Sequence, residues 1–220
     1  MIITLKPNSF FVFDLDDTLY PEIKYLESAY KFIAETILSA TGKNIYDMML
    51  EHYRCGKNVF NWIVSSYAGN DSQITIPYLL QLYREHKPEI KLNEGARYLL
   101  DSLKEKNVPV GLITDGRSVT QRNKLRALGL DEYFNEVIIS EEFGSEKPDE
   151  RNYLYFKNSY PGKEFYFIGD NTSKDFIVPL KLNWVTICLK SNGINIHDQN
   201  LNGGILPDLI INSFKELIIV

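Results

Sequence analysis

The stretch over residues 10–20, Phe10-Phe11-Val12-Phe13-Asp14-Leu15-Asp16-Asp17-Thr18-Leu19-Tyr20, constrains the fold more than any other. An apolar, strand-forming run stops at three carboxylates in four positions, as a buried parallel strand does where it reaches a polar edge. In open α/β sheets that edge is where ligands sit. Carboxylates about 4 Å apart repel by roughly 4 kcal/mol at an effective dielectric near 20, so the cluster calls for a cation or a proton. A hard, oxygen-seeking ion such as Mg²⁺ meets that need. A plainer role is open too, because Asp16, Asp17 or Thr18 suits the cap of a helix starting near Pro21.

After this strand the periodicity is helical to about residue 90. Leu26, Ala29, Tyr30, Ile33 and Ile37 mark a first helix stopped by Gly42; Met49, Leu50 and Tyr53 mark a second capped by Asn44. Phe60, Ile63, Val64 and Tyr67 predict a third helix ended by Gly69. Thr75-Ile76-Pro77 opens a fourth that Pro88 closes. The pattern changes from Asn93. A helix through Leu99 and Leu103 leads to a strand over 110–114, a helix over 118–128 stopped by Gly129, and a strand over 137–139. Residues 165–169 form another buried strand tipped by Asp170. A short helix over 176–180, strands over 184–189 and 209–211, and a terminal helix complete the chain. This is βαβ grammar: a Rossmann-like parallel sheet with helices on both faces, a core over 1–19 and 93–220, and a helical insert over 20–92 after the first strand.

The bulk properties narrow the function. With 220 residues, 44% hydrophobic and 24% charged, the chain reads as an ordinary globular protein with room for one sizeable core and an insert. A net charge of −5 and no dense Lys/Arg run leave no footprint for nucleic acid. The apolar stretch before Asp14 is too short for a signal sequence or a membrane span. Cys55 and Cys188 have no metal-type spacing and read as buried small hydrophobes in a reducing compartment, so a cytoplasmic location is expected. His52, His86 and His197 are scattered, without metal or triad spacing, and read as structural or surface residues.

Taken in order, the strand tips closely resemble the haloacid dehalogenase-like superfamily of phosphohydrolases. Asp14-Leu15-Asp16-Asp17-Thr18 matches the first motif, Thr114 the second, Lys147-Pro148 the third, and Gly169-Asp170-Asn171 through Asp175 the fourth. The insert resembles the α-helical cap of the family's phosphatases and dehalogenases. The resemblance implies that Asp14 is a nucleophile forming an aspartyl-phosphate. It implies that Asp16 is the general acid/base and that its backbone carbonyl is a metal ligand, and crowding by other carboxylates is expected to raise its pKa toward the working pH. Thr114, the Asp115 N–H and Lys147 would hold the phosphoryl oxygens, with Arg117 as a further candidate. Asp14, Asp16, Asp170 and Asp175 form the expected Mg²⁺ set, Asp175 either holding a metal-bound water or orienting Lys147.

The family's dehalogenases lack a catalytic Asp two positions after the nucleophile and need no metal, so Asp16 and the acidic fourth motif favour phosphate-ester hydrolysis. The expected partner is a small phosphorylated metabolite, a sugar phosphate or a nucleoside monophosphate. A sugar-phosphate mutase is the alternative within the superfamily, and a non-catalytic phosphate-binding protein the alternative outside catalysis. Oligomeric state leaves no mark on the sequence. Specificity is expected from the insert. There Tyr20, Glu22 and Lys24 lie at the first hinge, and Arg54 and Lys57 are more simply read as solvated. Tyr25, Tyr30, Phe60, Trp62 and Tyr67 read as the insert's own core.

Overall fold

The computed structural model describes residues 2–3, 6, 8–69, 73–197, 199 and 205–219. In chain order these form β1 (Ile2–Ile3), β2 (Ser9–Phe13), α1 (Glu22–Thr41), α2 (Tyr46–Arg54), α3 (Val59–Tyr67), α4 (Ile76–Glu85), α5 (Ala96–Glu105), β3 (Val110–Thr114) and α6 (Ser118–Leu128). They continue with β4 (Glu136–Ile139), α7 (Ser140–Phe143), α8 (Glu150–Ser159), β5 (Glu164–Gly169), α9 (Ile177–Lys181), β6 (Val185–Leu189), β7 (Leu209–Ile211), a 3-10 turn at Phe214–Glu216, and β8 (Ile218–Ile219). Two compact units result: Met1–Ile23 with Lys91–Val220, and Lys24–Ile90.

The first unit is a parallel six-stranded sheet in the order β4-β3-β2-β5-β6-β7, with helices around it. β2 is an inner strand, and its Ser9-Phe10-Phe11-Val12-Phe13 is buried throughout because both of its faces are covered. The two-residue period divides these side chains. Phe10 and Val12 join Tyr153, Phe156, Phe165, Phe167 and Trp184 in one cluster, while Phe11 stacks on Tyr166 at 4.5 Å. The chain runs from β2 outward through β3 and β4, then returns to the other side of β2 as β5, so the winding direction switches at β2. Such a switch opens a crevice at the strands' carboxyl ends.

Register then aligns the polar tips. Phe13 pairs with Leu112 on one side and Ile168 on the other, so Asp14 lies level with Ile113 and Gly169, and Thr114 and Asp170 come one step later. A glycine allows the packing beneath: a Cβ on Gly111 would lie 2.8 Å from Phe156 Cζ, inside van der Waals contact. Gly111→Ala should therefore overpack this face and cost about 1–3 kcal/mol of stability in urea denaturation of the unit. A loss below a few tenths would show that Phe156 can move aside.

The second unit consists of α1 beyond its first turn with α2, α3 and α4. Asn58 Oδ1 accepts from the Asn61 N–H at 2.9 Å and Thr75 Oγ1 from the Tyr78 N–H at 3.3 Å, so both helices start on side-chain caps. Asn44 lies one residue outside the expected place: the N-cap of α2 is Ile45, and Asn44 Oδ1 accepts the Tyr46 N–H at 3.1 Å. The aromatic residues contact one another, Tyr25 on Tyr83, Tyr30 on Phe60 and Trp62 on Tyr67, as a core rather than an open stacking box.

Three expectations need correction. Cys55 is exposed, not buried, because it follows α2 as its C-cap; Cys188 in β6 is buried. The terminal helix is absent among the described residues: Ser213 caps a single 3-10 turn, after which the β-branched Ile218-Ile219 extends to pair with β1. α3 ends at Tyr67 with Ala68 as C-cap, before Gly69. Among the described residues no helix is long and apolar enough to cross a membrane.

Candidate active site

β2 ends at Phe13, and the chain leaves the sheet with Asp14 fixed by its N–H on the Ile168 carbonyl at 2.9 Å. The turn that follows brings Thr18 back, its hydroxyl donating to Asp14 Oδ2 at 3.2 Å and lying 3.5 Å from Asp170 Oδ1. Asp17 adopts a left-handed φ of 56° and accepts the Glu22 N–H at 2.8 Å, so the capping role open to this run falls to Asp17. Asp14 and Asp16 are thereby left for other work.

Lys147, before the cis peptide to Pro148, is held by its N–H on Asp115 Oδ1 at 2.9 Å. Its ammonium lies 2.5 Å from Asp14 Oδ1 and 2.7 Å from Asp175 Oδ1, with all three side chains buried. Asp175 Oδ2 accepts the N–H groups of Asp170 at 3.1 Å and Asn171 at 2.9 Å, so Asp175 shapes the strand end and aims Lys147. Gly169 makes this approach possible, since a Cβ there would lie 2.9 Å from Asp175 Cγ.

Burial pushes the Asp14 carboxyl up to about 7, with Asp175 and Asp16 adding to the rise against the pull of Lys147. Burial, Asp14 and Asp175 together push Asp170 up to about 9. Burial alone would lower Lys147, but Asp14 and Asp175 outweigh it and hold the ammonium well above its usual range. The cation is secure, and burial, with the neighbouring acids, is what raises Asp14 and Asp170. Asp14, Asp170 and Asp175 each offer an oxygen within 4.8 Å of the others, an arrangement that can hold a metal ion. With Asp16 they set four carboxylates against the ammonium groups of Lys124 and Lys147, a deficit that fits a divalent cation.

Asp16 departs from expectation. Burial would raise its carboxyl, but Lys124 at 2.6 Å, with hydrogen bonds from Tyr20 and Gln121, holds it below the usual carboxylate range. Crowding by other carboxylates is thus not what decides its charge. Gln121 Nε2 lies 2.8 Å from Asp16 Oδ2 and 2.5 Å from Thr114 Oγ1.

Asp115 accepts from Lys174 at 3.2 Å besides the Lys147 N–H. Arg117 is exposed and turned to Glu141 at 2.5 Å, so the structure does not bring its guanidinium into the cluster. The sequence reading missed Gln121, Lys124 and Asn195. Gln121 and Lys124 carried a signal, since they share the stripe of Leu125 and Leu128, where a polar side chain needs a buried partner. Asn195, whose amide donates to Asp170 Oδ2 at 2.8 Å, comes from an irregular segment after β6 and carried none.

The haloacid dehalogenase-like hydrolase family matches residues 11–188. A glyceraldehyde 3-phosphate phosphatase of Methanocaldococcus jannaschii is 27% identical, over 94% of each chain. The pyrimidine 5′-nucleotidase YjjG of Escherichia coli is 30% identical over 56% of this chain and 53% of its own. Among solved structures, the HAD-hydrolase YfnB of Bacillus subtilis, bound to magnesium, superposes with a TM-score of 0.64 at 20% identity, covering 96% of this chain and 97% of that one. With the family match running from β2 to β6, this chain belongs to the haloacid dehalogenase-like hydrolases.

Proposed function

We propose that the protein is a Mg²⁺-dependent phosphatase that hydrolyses a small phosphomonoester through a phosphorylated Asp14. The observation that carries this is the buried Asp14 carboxylate, touched by the Lys147 ammonium, with a second acid, Asp16, held separately two residues on. Phosphoryl transfer needs an in-line nucleophile, neutralisation of the spread charge and a proton for the leaving oxygen. An Asp14 oxygen attacks phosphorus as the bond to the leaving oxygen breaks, and Asp16 delivers the proton that oxygen needs. Since Asp16 is anionic at rest, the proton arrives with the substrate, whose second ionisation lies near about pH 6. Water then attacks the phosphorus, Asp16 takes its proton, the bond to Asp14 breaks and inorganic phosphate leaves.

Lys147, the Thr114 hydroxyl and the Asp115 N–H hold the phosphoryl oxygens. Asp14, Asp170 and the Asp16 carbonyl would bind Mg²⁺, which supplies charge neutralisation when bound, and Asp175 serves through Lys147 and the strand-end amides. We leave Arg117 out of the phosphate set because Glu141 engages it. Residues Lys24–Ile90 are read as the family's helical cap. The cytoplasm is the proposed compartment, in keeping with two free cysteines.

For the substrate, we rank a short-chain sugar phosphate above a nucleoside monophosphate. The phosphatase of M. jannaschii matches nearly end to end, whereas the nucleotidase matches over little more than half of this chain. The test is phosphate release from a panel of triose, pentose, hexose and nucleoside monophosphates, with Mg²⁺ or with EDTA. Metal-dependent release over many turnovers is expected, fastest on the short sugar phosphates. Isomerisation without phosphate release would replace the reading with a mutase, and silence across the panel would remove it.

A further inference from the structure

We propose that Gln121 and Lys124, one turn apart on α6, are positioning residues that fix the Asp16 carboxylate for proton transfer and orient the Thr114 hydroxyl toward the phosphoryl group. The proposal rests on the phosphatase reading and adds to it the residues that aim its acid.

Both oxygens of Asp16 are held. Oδ1 accepts from Lys124 Nζ at 2.6 Å and from the Tyr20 hydroxyl, and Oδ2 accepts from Gln121 Nε2 at 2.8 Å. A carboxylate gripped at both oxygens has little freedom to rotate, and the groups gripping it are themselves constrained. The Lys124 side chain is 4% exposed, its ammonium also lies 5.8 Å from the centre of the Tyr20 ring, and Gln121 is fully buried. These side chains reach Asp16 because Gln121 and Lys124, three residues apart, share the inward stripe of α6.

The Gln121 amide also settles a proton. A carboxylate only accepts, so the amide nitrogen must face Asp16, and its second hydrogen points to Thr114 Oγ1 at 2.5 Å. Thr114 then accepts from Gln121, and its own hydrogen is left to donate elsewhere. At the tip of β3, one step past the level of Asp14 in the sheet, the acceptor that matches is a phosphoryl oxygen. One amide thus sets the proton donor for the leaving oxygen and a hydrogen-bond donor for the transferred group.

The test is kcat/KM for Mg²⁺-loaded wild type, Lys124→Met, Lys124→Arg and Gln121→Leu on phosphomonoesters whose leaving groups run from dinitrophenol through phenol to a simple alcohol. Asp14→Asn serves as the blank, and Mg²⁺ affinity is measured by calorimetry. An activated phenol leaves without a proton and an alcohol does not. Misplacing the acid should therefore cost about 10²-fold or more on the alkyl ester and only a few-fold on the dinitrophenyl ester. Lys124→Arg should recover most of the alkyl rate, and Mg²⁺ affinity should stay within a few-fold of wild type. Gln121→Leu keeps the test sound if Lys124→Met folds poorly, and it should also raise KM through the loss of Thr114 alignment. A uniform loss across leaving groups, in enzyme that still binds Mg²⁺, overturns the positioning role. A wild type with no activity above the blank overturns the phosphatase reading and this proposal with it.

Discussion

Asp14→Asn should abolish phosphate release, lowering kcat by at least about 10³-fold, while the protein stays folded. The amide matches the carboxylate in size but has no anionic oxygen to attack phosphorus. Its neighbours tolerate the exchange. Lys147 keeps Asp175 at 2.7 Å, so no buried ammonium is stranded, and the Asp14 N–H still bonds the Ile168 carbonyl. Asp14 is also a carboxyl that burial has already pushed up to about 7, so replacing it with a neutral group removes a strained charge. The thermal midpoint at pH 8 without metal should therefore hold or rise. Mg²⁺ affinity should fall, since one anionic ligand is gone. The checks are phosphate release at high enzyme concentration, a melting curve and calorimetric Mg²⁺ titration. Activity above a tenth of wild type would sink Asp14 as the nucleophile.

The sheet and its polar edge were readable in the sequence because buried parallel strands leave continuous apolar runs, and only their tips tolerate polar residues. Phe10 to Phe13, Val110 to Ile113 and Phe165 to Ile168 therefore pointed at Asp14, Thr114 and Asp170 without any knowledge of register. Lys147 was legible only through the company it keeps with the other motifs, for it stands in a loop between α7 and α8. What stayed hidden was pairing. Arg117 looked like a phosphate ligand because of its place after Thr114, yet Glu141, 24 residues on, engages it. Asp16 looked crowded by acids, yet Lys124 decides its charge. Cys55 and the chain end failed for another reason: short apolar segments do not reveal whether a partner covers them, and Ile218-Ile219 found one in β1.

Without metal, the protein should lose stability as pH rises from 5 to 8.5, and Mg²⁺ should restore it most where the loss is greatest. Asp14, Glu22 and Asp170 are carboxyls that burial and neighbouring acids push up to about 7, about 8 and about 9, whereas in the unfolded chain all three ionise near about 4. Between those values the folded state holds protons that the unfolded state has released, so unfolding becomes more favourable with rising pH. The stabilisation is complete below about pH 4 and is lost as pH climbs through the folded values, for Asp14 by about 7, for Glu22 by about 8 and for Asp170 by about 9. Each excess proton costs on the order of 1.4 kcal/mol per pH unit, and a chain of this size shifts by about 2–4 °C per kcal/mol. A fall of roughly 10–25 °C between pH 6 and 8 follows. Asp16 and Lys147 do not offset it, because the first is held down and the second held up, and neither changes charge in this window. A divalent cation needs the ionised carboxylates, so its binding releases protons and its stabilising effect grows with pH. Melting curves in EDTA and in Mg²⁺ at half-unit pH steps decide the matter, and Asp14→Asn should flatten the EDTA series most between pH 5 and 7. A metal-free midpoint that stays level to pH 8.5, or a Mg²⁺ increment that ignores pH, would show that these crowded carboxylates do not create a need for a cation.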